Sequence, residues 1–314
     1  DHVLTGPVPT LETSVGCWAA TAALARDTRN IRIGQMVTCN GYRNPALLAK
    51  MASTVDVMSH GRLDFGIGAG WYEHEFKAYG YDYPDGPTRL KMLREALQII
   101  HAMWKDDYAT FEGKYYSVNG AINEPKGVQK PHIPIWIGGG GEKVTLKLVA
   151  QYGDACNVGG VNPDLYTRKY GIIKEHCETV GRDYNSIIKS AEVFTFLLRT
   201  GQNAKDVTAN VRHAVSRLAG HDVDLPEFVS AGYRGYPSVF VGSPQQCIDV
   251  YGKLIDVGVE YIIAYLGDAV HLDTLQMFAE EVIPAFKSRQ EHNTCQISSL
   301  GCSSRRAGAW ISLT

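Results

Sequence analysis

Residues Pro134–Val158 read PIWIGGGGEKVTLKLVAQYGDACNV. Ile135–Ile137 is an apolar run of strand length, Gly138 to Gly141 are consecutive glycines, Glu142–Tyr152 spaces its apolar residues along one helix face, and Ala155–Val158 is apolar again. A strand, a glycine loop, a helix and a second strand imply a crossover: the helix carries the chain back over the sheet, so the two strands run parallel.

The same alternation extends in both directions. Strands are predicted at Ile31–Val37, Leu63–Ile67, Ala191–Leu198 and Tyr261–Tyr265, with helices at Asn44–Val57, Pro87–Trp104, Leu165–Val180, Pro244–Val257 and Leu272–Phe286. In the Pro87 helix, Leu90, Leu93, Leu97, Ile100 and Trp104 share one face, while Arg89, Lys91, Arg94 and Glu95 are expected to face outward. An open doubly wound sheet and a (β/α)8 barrel both satisfy this pattern. Several strand ends carry glycine or unusual polar residues (GQMVTCNGYRNP, GIGAGWYEHEF, IGGGGEK, CNVGGVNP), as in a barrel that builds one site from many loops. A hairpin insert, YATFEGKYYSVNG, follows the Pro87 helix with its turn at Glu112-Gly113. No internal repeat or linker divides the chain, so one barrel domain is expected over 1–287. Residues 288–314, rich in Ser, Arg and Gly without amphipathic period, read as a disordered or non-native tail.

Composition narrows the function. A formal net charge of -2 without a basic stripe argues against nucleic acid as a partner. No apolar run approaches the roughly 20 residues of a membrane helix, and DHVLTGPVPT has no signal-peptide pattern, so a soluble cytoplasmic protein is expected. The seven cysteines are scattered without CxxC spacing and read as reduced thiols.

Two glycine clusters invite a nucleotide reading, and both fail on spacing. LDFGIGAGW would need its third fingerprint glycine at position 71, which is Trp71, and Gly138 to Gly141 lacks the P-loop GK[ST]. What remains is physical: a main chain that a ligand can approach, ahead of a helix whose N–H groups favour an anion such as a phosphate, with Lys143 nearby. Glu73, His74 and Glu75 are acid/base or ligand types. As sequence neighbours without HExxH spacing they do not form a metal site, and His74 with Trp71 reads as a pocket rim. His101, His176, His213 and His271 show no partner pattern and read as surface or packing residues.

Taken together, the segments IRIGQMVTCNGYRNPALLAKMASTVDVMSHGRLDFGIGAGWYEHEFKAYG, FEGKYYSV, PHIPIWIGGGGEKVTLKLVAQYGDACNV and HCETVGRD, with the opening Asp1-His2, resemble the luciferase-like superfamily of (β/α)8 flavin and deazaflavin enzymes, most closely its coenzyme F420-dependent branch. The resemblance implies a TIM-type barrel and an oxidoreductase that transfers a hydride between F420 and an organic small-molecule substrate. It places the cofactor phosphate on Gly138, Gly139, Gly140 and Gly141, and the deazaflavin or its ribityl chain near Gly68, Gly70 and His74. It also implies a non-proline cis peptide under the ring at Met36-Val37, a cofactor contact from Asp1, and His2 as the acid/base group. Homodimers are common in the family. Members carry a strand-helix-strand unit ahead of the Asp-His pair, so the expectation is a barrel lacking that first unit. Two other readings stay open: a monooxygenase using FMN and O2, and a non-catalytic truncated fragment. The loops Gly159–Tyr166 and Asp222–Tyr236 are expected to line the substrate side.

Overall fold

The computed structural model describes residues 2, 14–199, 239–266 and 272–286, and the backbone of 310–312. The chain separates into two compact units, Asp1–Asn157 with Ile172–Ile187, and Val158–Gly171 with Ile188–Thr314.

The first unit runs α1 (Cys17–Asp27), β1 (Ile33–Gly34), β2 (Thr38–Cys39), a 3-10 turn at Asn40–Tyr42, α2 (Pro45–Met58), β3 (Leu63–Gly68), α3 (Glu73–Ala78), α4 (Gly86–Lys105), the hairpin β4 (Ala109–Glu112) and β5 (Ser117–Ala121), β6 (Ile135–Gly138), α5 (Thr145–Tyr152) and the start of β7 (Ala155–Gly159). β1 and β2 both pair with β3, β3 with β6 and β6 with β7, all parallel. Phe65, Ile67, Ile135 and Ile137 are buried on these strands, as are Leu48 of α2, Leu93 and Leu97 of α4 and Leu148 of α5 on the helices. The helices start where their caps dictate. Asn44 Oδ1 accepts from the Ala46 and Leu47 amides ahead of α2, and Asp85 accepts from Thr88 at the head of α4.

In the second unit β8 (Ile188–Leu197) lies between β9 (Val239–Gly242) and β10 (Tyr261–Leu266), both parallel to it. α7 (Pro244–Asp256) opens with a reciprocal capping box between Ser243 and Gln246. α6 (Pro163–Val180) has residues in both units, and α8 (Leu272–Met277) continues into a π turn at Phe278–Val282. The backbone of β11 (Trp310–Ser312) runs along β10, within the stretch read as a tail; the rest of 288–314 lies outside the described residues.

Three local expectations need correction. The single strand Ile31–Val37 is two short strands, because the pairs Gly34↔Asp64 and Thr38↔Ile67 set four residue steps against three on β3. The extra residue forms a bulge. α5 begins at Thr145 and not at Glu142, since the Leu146 amide turns back to the Gly141 carbonyl and holds the intervening residues in a turn. Glu95 turns toward the hairpin and not outward: its carboxylate accepts from the Lys114, Tyr115 and Tyr116 amides at 2.9, 2.8 and 3.0 Å. α1 and β9 had no counterpart in the sequence reading.

Candidate active site

The bulge between β1 and β2 contains a cis peptide at Met36-Val37, where the resemblance placed one. Val37 is then gripped by glycines on the neighbouring strands. A Cβ on Gly68 would lie 2.8 Å from Val37 Cγ2, and one on Gly138 would lie 2.8 Å from Val37 Cγ1. Gly66 has no room either, since its Cβ would fall 1.8 Å from the Gln35 carbonyl oxygen. Two of the glycines assigned to cofactor contact thus already have a packing reason to be glycine.

Gly139 is different. It has φ +116°, a backbone that L side chains rarely adopt, and its amide donates to the Asn157 carbonyl at 3.1 Å. Gly139 and Gly141 are exposed, so this loop offers bare main chain to solvent ahead of α5. The turn behind it is tied down by His176 of α6, whose Nε2 lies 2.8 Å from the Glu142 carbonyl oxygen. That gives His176 a role the sequence reading did not find.

His2 lies beside the loop that joins β3 to α3 and the start of α3. Its Nδ1 is 2.9 Å from Glu75 Oε2, and its ring meets Trp71 and Tyr72 edge-on at centroid distances of 5.5 and 6.1 Å. Glu75 is fully buried, and the Tyr42 hydroxyl donates to the same Oε2 at 2.6 Å. Burial, followed by the hydrogen bond to Glu75, pushes the Tyr42 phenol far up, and burial pushes the Cys39 thiol beside it up to about 11. Both therefore keep their protons at neutral pH. His74, one residue before Glu75, is exposed on α3 with its ring beside Tyr72 at 5.9 Å. The structure joins His2 to Glu75 and not to His74. The two positions lie about 100° apart around the helix, and sequence adjacency could not tell which one points inward. Asp1 lies outside the described residues.

Beyond the bulge, Thr38 Oγ1 and Asn40 Oδ1 are buried without a hydrogen-bond partner among the described residues. Asn40 also lines a cleft of about 430 Å3 with Tyr42, Arg43, Tyr81, Arg89 and Tyr116. Of the loops expected to face substrate, Asp222–Tyr236 lies outside the described residues, and Tyr166 is buried with its hydroxyl donating to the Val158 and Gly160 carbonyls. Among the described residues no group of His, Cys, Asp and Glu side chains could hold a metal ion, and no helix is long and apolar enough to cross a membrane.

The sequence and the parallel β/α fold have known counterparts. The chain belongs to the luciferase-like monooxygenase family, whose pattern matches residues 5–261. A curated relative, the F420-dependent glucose-6-phosphate dehydrogenase of Microbacterium testaceum, is 26% identical over 85% of this chain and 82% of its own length. Among solved structures, an F420-dependent secondary alcohol dehydrogenase in complex with an F420-acetone adduct superposes with a TM-score of 0.71 at 21% identity, covering 87% of this chain and 84% of the other. Monooxygenase RslO1 from Streptomyces bottropensis does so with a TM-score of 0.73 at 18% identity, covering 86% and 83%. The structural likenesses establish the fold as α/β of the TIM-barrel type.

Proposed function

We propose that this chain is an oxidoreductase that moves a hydride between coenzyme F420 and an organic substrate, with His2 as its acid/base group. The observation that carries the proposal is the likeness along 85% of the chain to proteins named F420-dependent glucose-6-phosphate dehydrogenase. The residues of the first unit fit such a cofactor. The half-buried Met36-Val37 bulge would back a flat ring, Thr38 Oγ1 and Asn40 Oδ1 are buried polar atoms still open to a partner, and the bare main chain at Gly139–Gly141 would take a phosphate. When bound, the deazaflavin supplies the two-electron hydride acceptor or donor. His2 then handles the proton: as an alcohol carbon gives up its hydride, the imidazole takes the hydroxyl proton, and it returns that proton in the reverse direction. Trp71 and Tyr72 pack edge-on against the imidazole.

Fluorescence titration of the purified protein with F420 and with FMN tests the reading. Saturable F420 binding with little or no FMN binding is expected, and tight FMN binding without F420 binding would transfer the chain to the monooxygenase reading. In the same assay Gly140→Val should weaken F420 binding by about tenfold or more, since a β-branched side chain would crowd a ligand at the main chain. Unchanged affinity would remove the loop from the cofactor site.

A further inference from the structure

Glu75 is a carboxylate with no exposed side-chain surface, a location that is costly unless donors surround the charge. Two donors converge on its Oε2, the Tyr42 hydroxyl at 2.6 Å and His2 Nδ1 at 2.9 Å. Tyr42 retains its proton for the reasons given above, so it serves as a donor that aims the carboxylate. Facing an ionised carboxylate oxygen at this distance, the nitrogen of a neutral imidazole carries the hydrogen, which leaves the other ring nitrogen as the acceptor. The His2 side chain is 41% exposed, so while Nδ1 is turned to the buried carboxylate the rest of the ring remains open.

We infer that Glu75 is a positioning residue for His2: its carboxylate, aimed by Tyr42, fixes the Nδ1–H tautomer and leaves Nε2 unprotonated as the atom that exchanges the substrate proton. The logic is that of the carboxylate in a serine-protease triad, where loss of the charge leaves the geometry but presents the wrong tautomer. A Glu two residues after Glu73 and one after His74 would not draw this role from sequence, because only the fold turns it inward toward Tyr42. The inference rests on the acid/base role proposed for His2.

The test is the tautomeric state of His2, read from two-bond 1H–15N correlation spectra of histidine-labelled full chain at neutral pH, with His2→Gln used to assign the signals. The unaltered protein should show the Nδ1–H form. In Glu75→Leu the ratio of Nδ1–H to Nε2–H should fall by about tenfold, since a charge-assisted acceptor is lost. Should Glu75→Leu fail to fold by circular dichroism, Glu75→Gln, which keeps the size and removes the charge, should show a several-fold fall. An Nε2–H form in the unaltered protein, or an unchanged ratio in the folded variant, overturns the inference. F420 binding measured on the same samples separates the two claims. Loss of binding with the Nδ1–H form intact overturns the functional reading and upholds the geometry, whereas binding with a reversed tautomer overturns the positioning role alone.

Discussion

Val37 shows how a single side chain can account for residues far from it in sequence. Its two methyl groups occupy the space where Gly68 of β3 and Gly138 of β6 would otherwise carry Cβ atoms. In the sequence these glycines look like ligand-binding positions, because a glycine at a strand end is equally compatible with a ligand and with a neighbouring side chain. The packing account predicts that Gly68→Ala destabilises the protein by about 1–3 kcal/mol through overpacking. Urea unfolding should show that Val37→Ala in the same chain recovers part of that loss, and additive losses would mean that the two residues do not compete for space. His2, Glu75 and Tyr42 make the parallel point at the site. The sequence offered Glu73, His74 and Glu75 as neighbouring acid/base or ligand types and singled out His74 for the pocket rim. Burial alone separates Glu75 from the other two.

At the level of elements, the hairpin β4–β5 was readable and its anchor was not. Glu112-Gly113 between two short runs marks a turn, and the strands pair antiparallel as that signal implies. Glu95 read as solvated because helical period reports only that it lies off the apolar stripe of α4. In the structure its carboxylate replaces the missing strand partners of three consecutive amides in the turn. Glu95→Ala should therefore raise amide hydrogen exchange at Lys114, Tyr115 and Tyr116 by about tenfold, with the interior of α4 unchanged. Exchange unaltered at those amides would show that the turn holds itself. The same limit explains the split strand before α2. Ile31–Val37 reads as one strand in the sequence, and the bulge is visible only in the register against β3.

Across the whole molecule, stability should carry a pH dependence from His101 of α4. Its ring lies 5.1 Å from His132 and 5.7 Å from Tyr152, and burial first, then the neighbouring His132, holds its pKa below the ordinary 6.5. The unfolded chain therefore binds a proton that the folded chain refuses. Stability present above the unfolded value is lost as pH falls from 6.5 toward the folded value. Chemical unfolding between about pH 7.5 and 5.5 should show that loss, and His101→Phe should flatten it. An equal slope in the variant would assign the dependence to other groups. At this scale much was legible. The recurrence of strand, loop and helix determined a parallel β/α fold, because a long crossover helix leaves parallel pairing as the geometry available, and the motif set determined the family. Tertiary structure alone decided that Val37 fills the glycine cradle, that Glu75 and not His74 meets His2, and that His176 pins the turn behind the glycine loop. Sequence periodicity records direction along one element. These contacts join residues that lie 31, 73 and 34 positions apart, and such pairs meet only once the elements have packed.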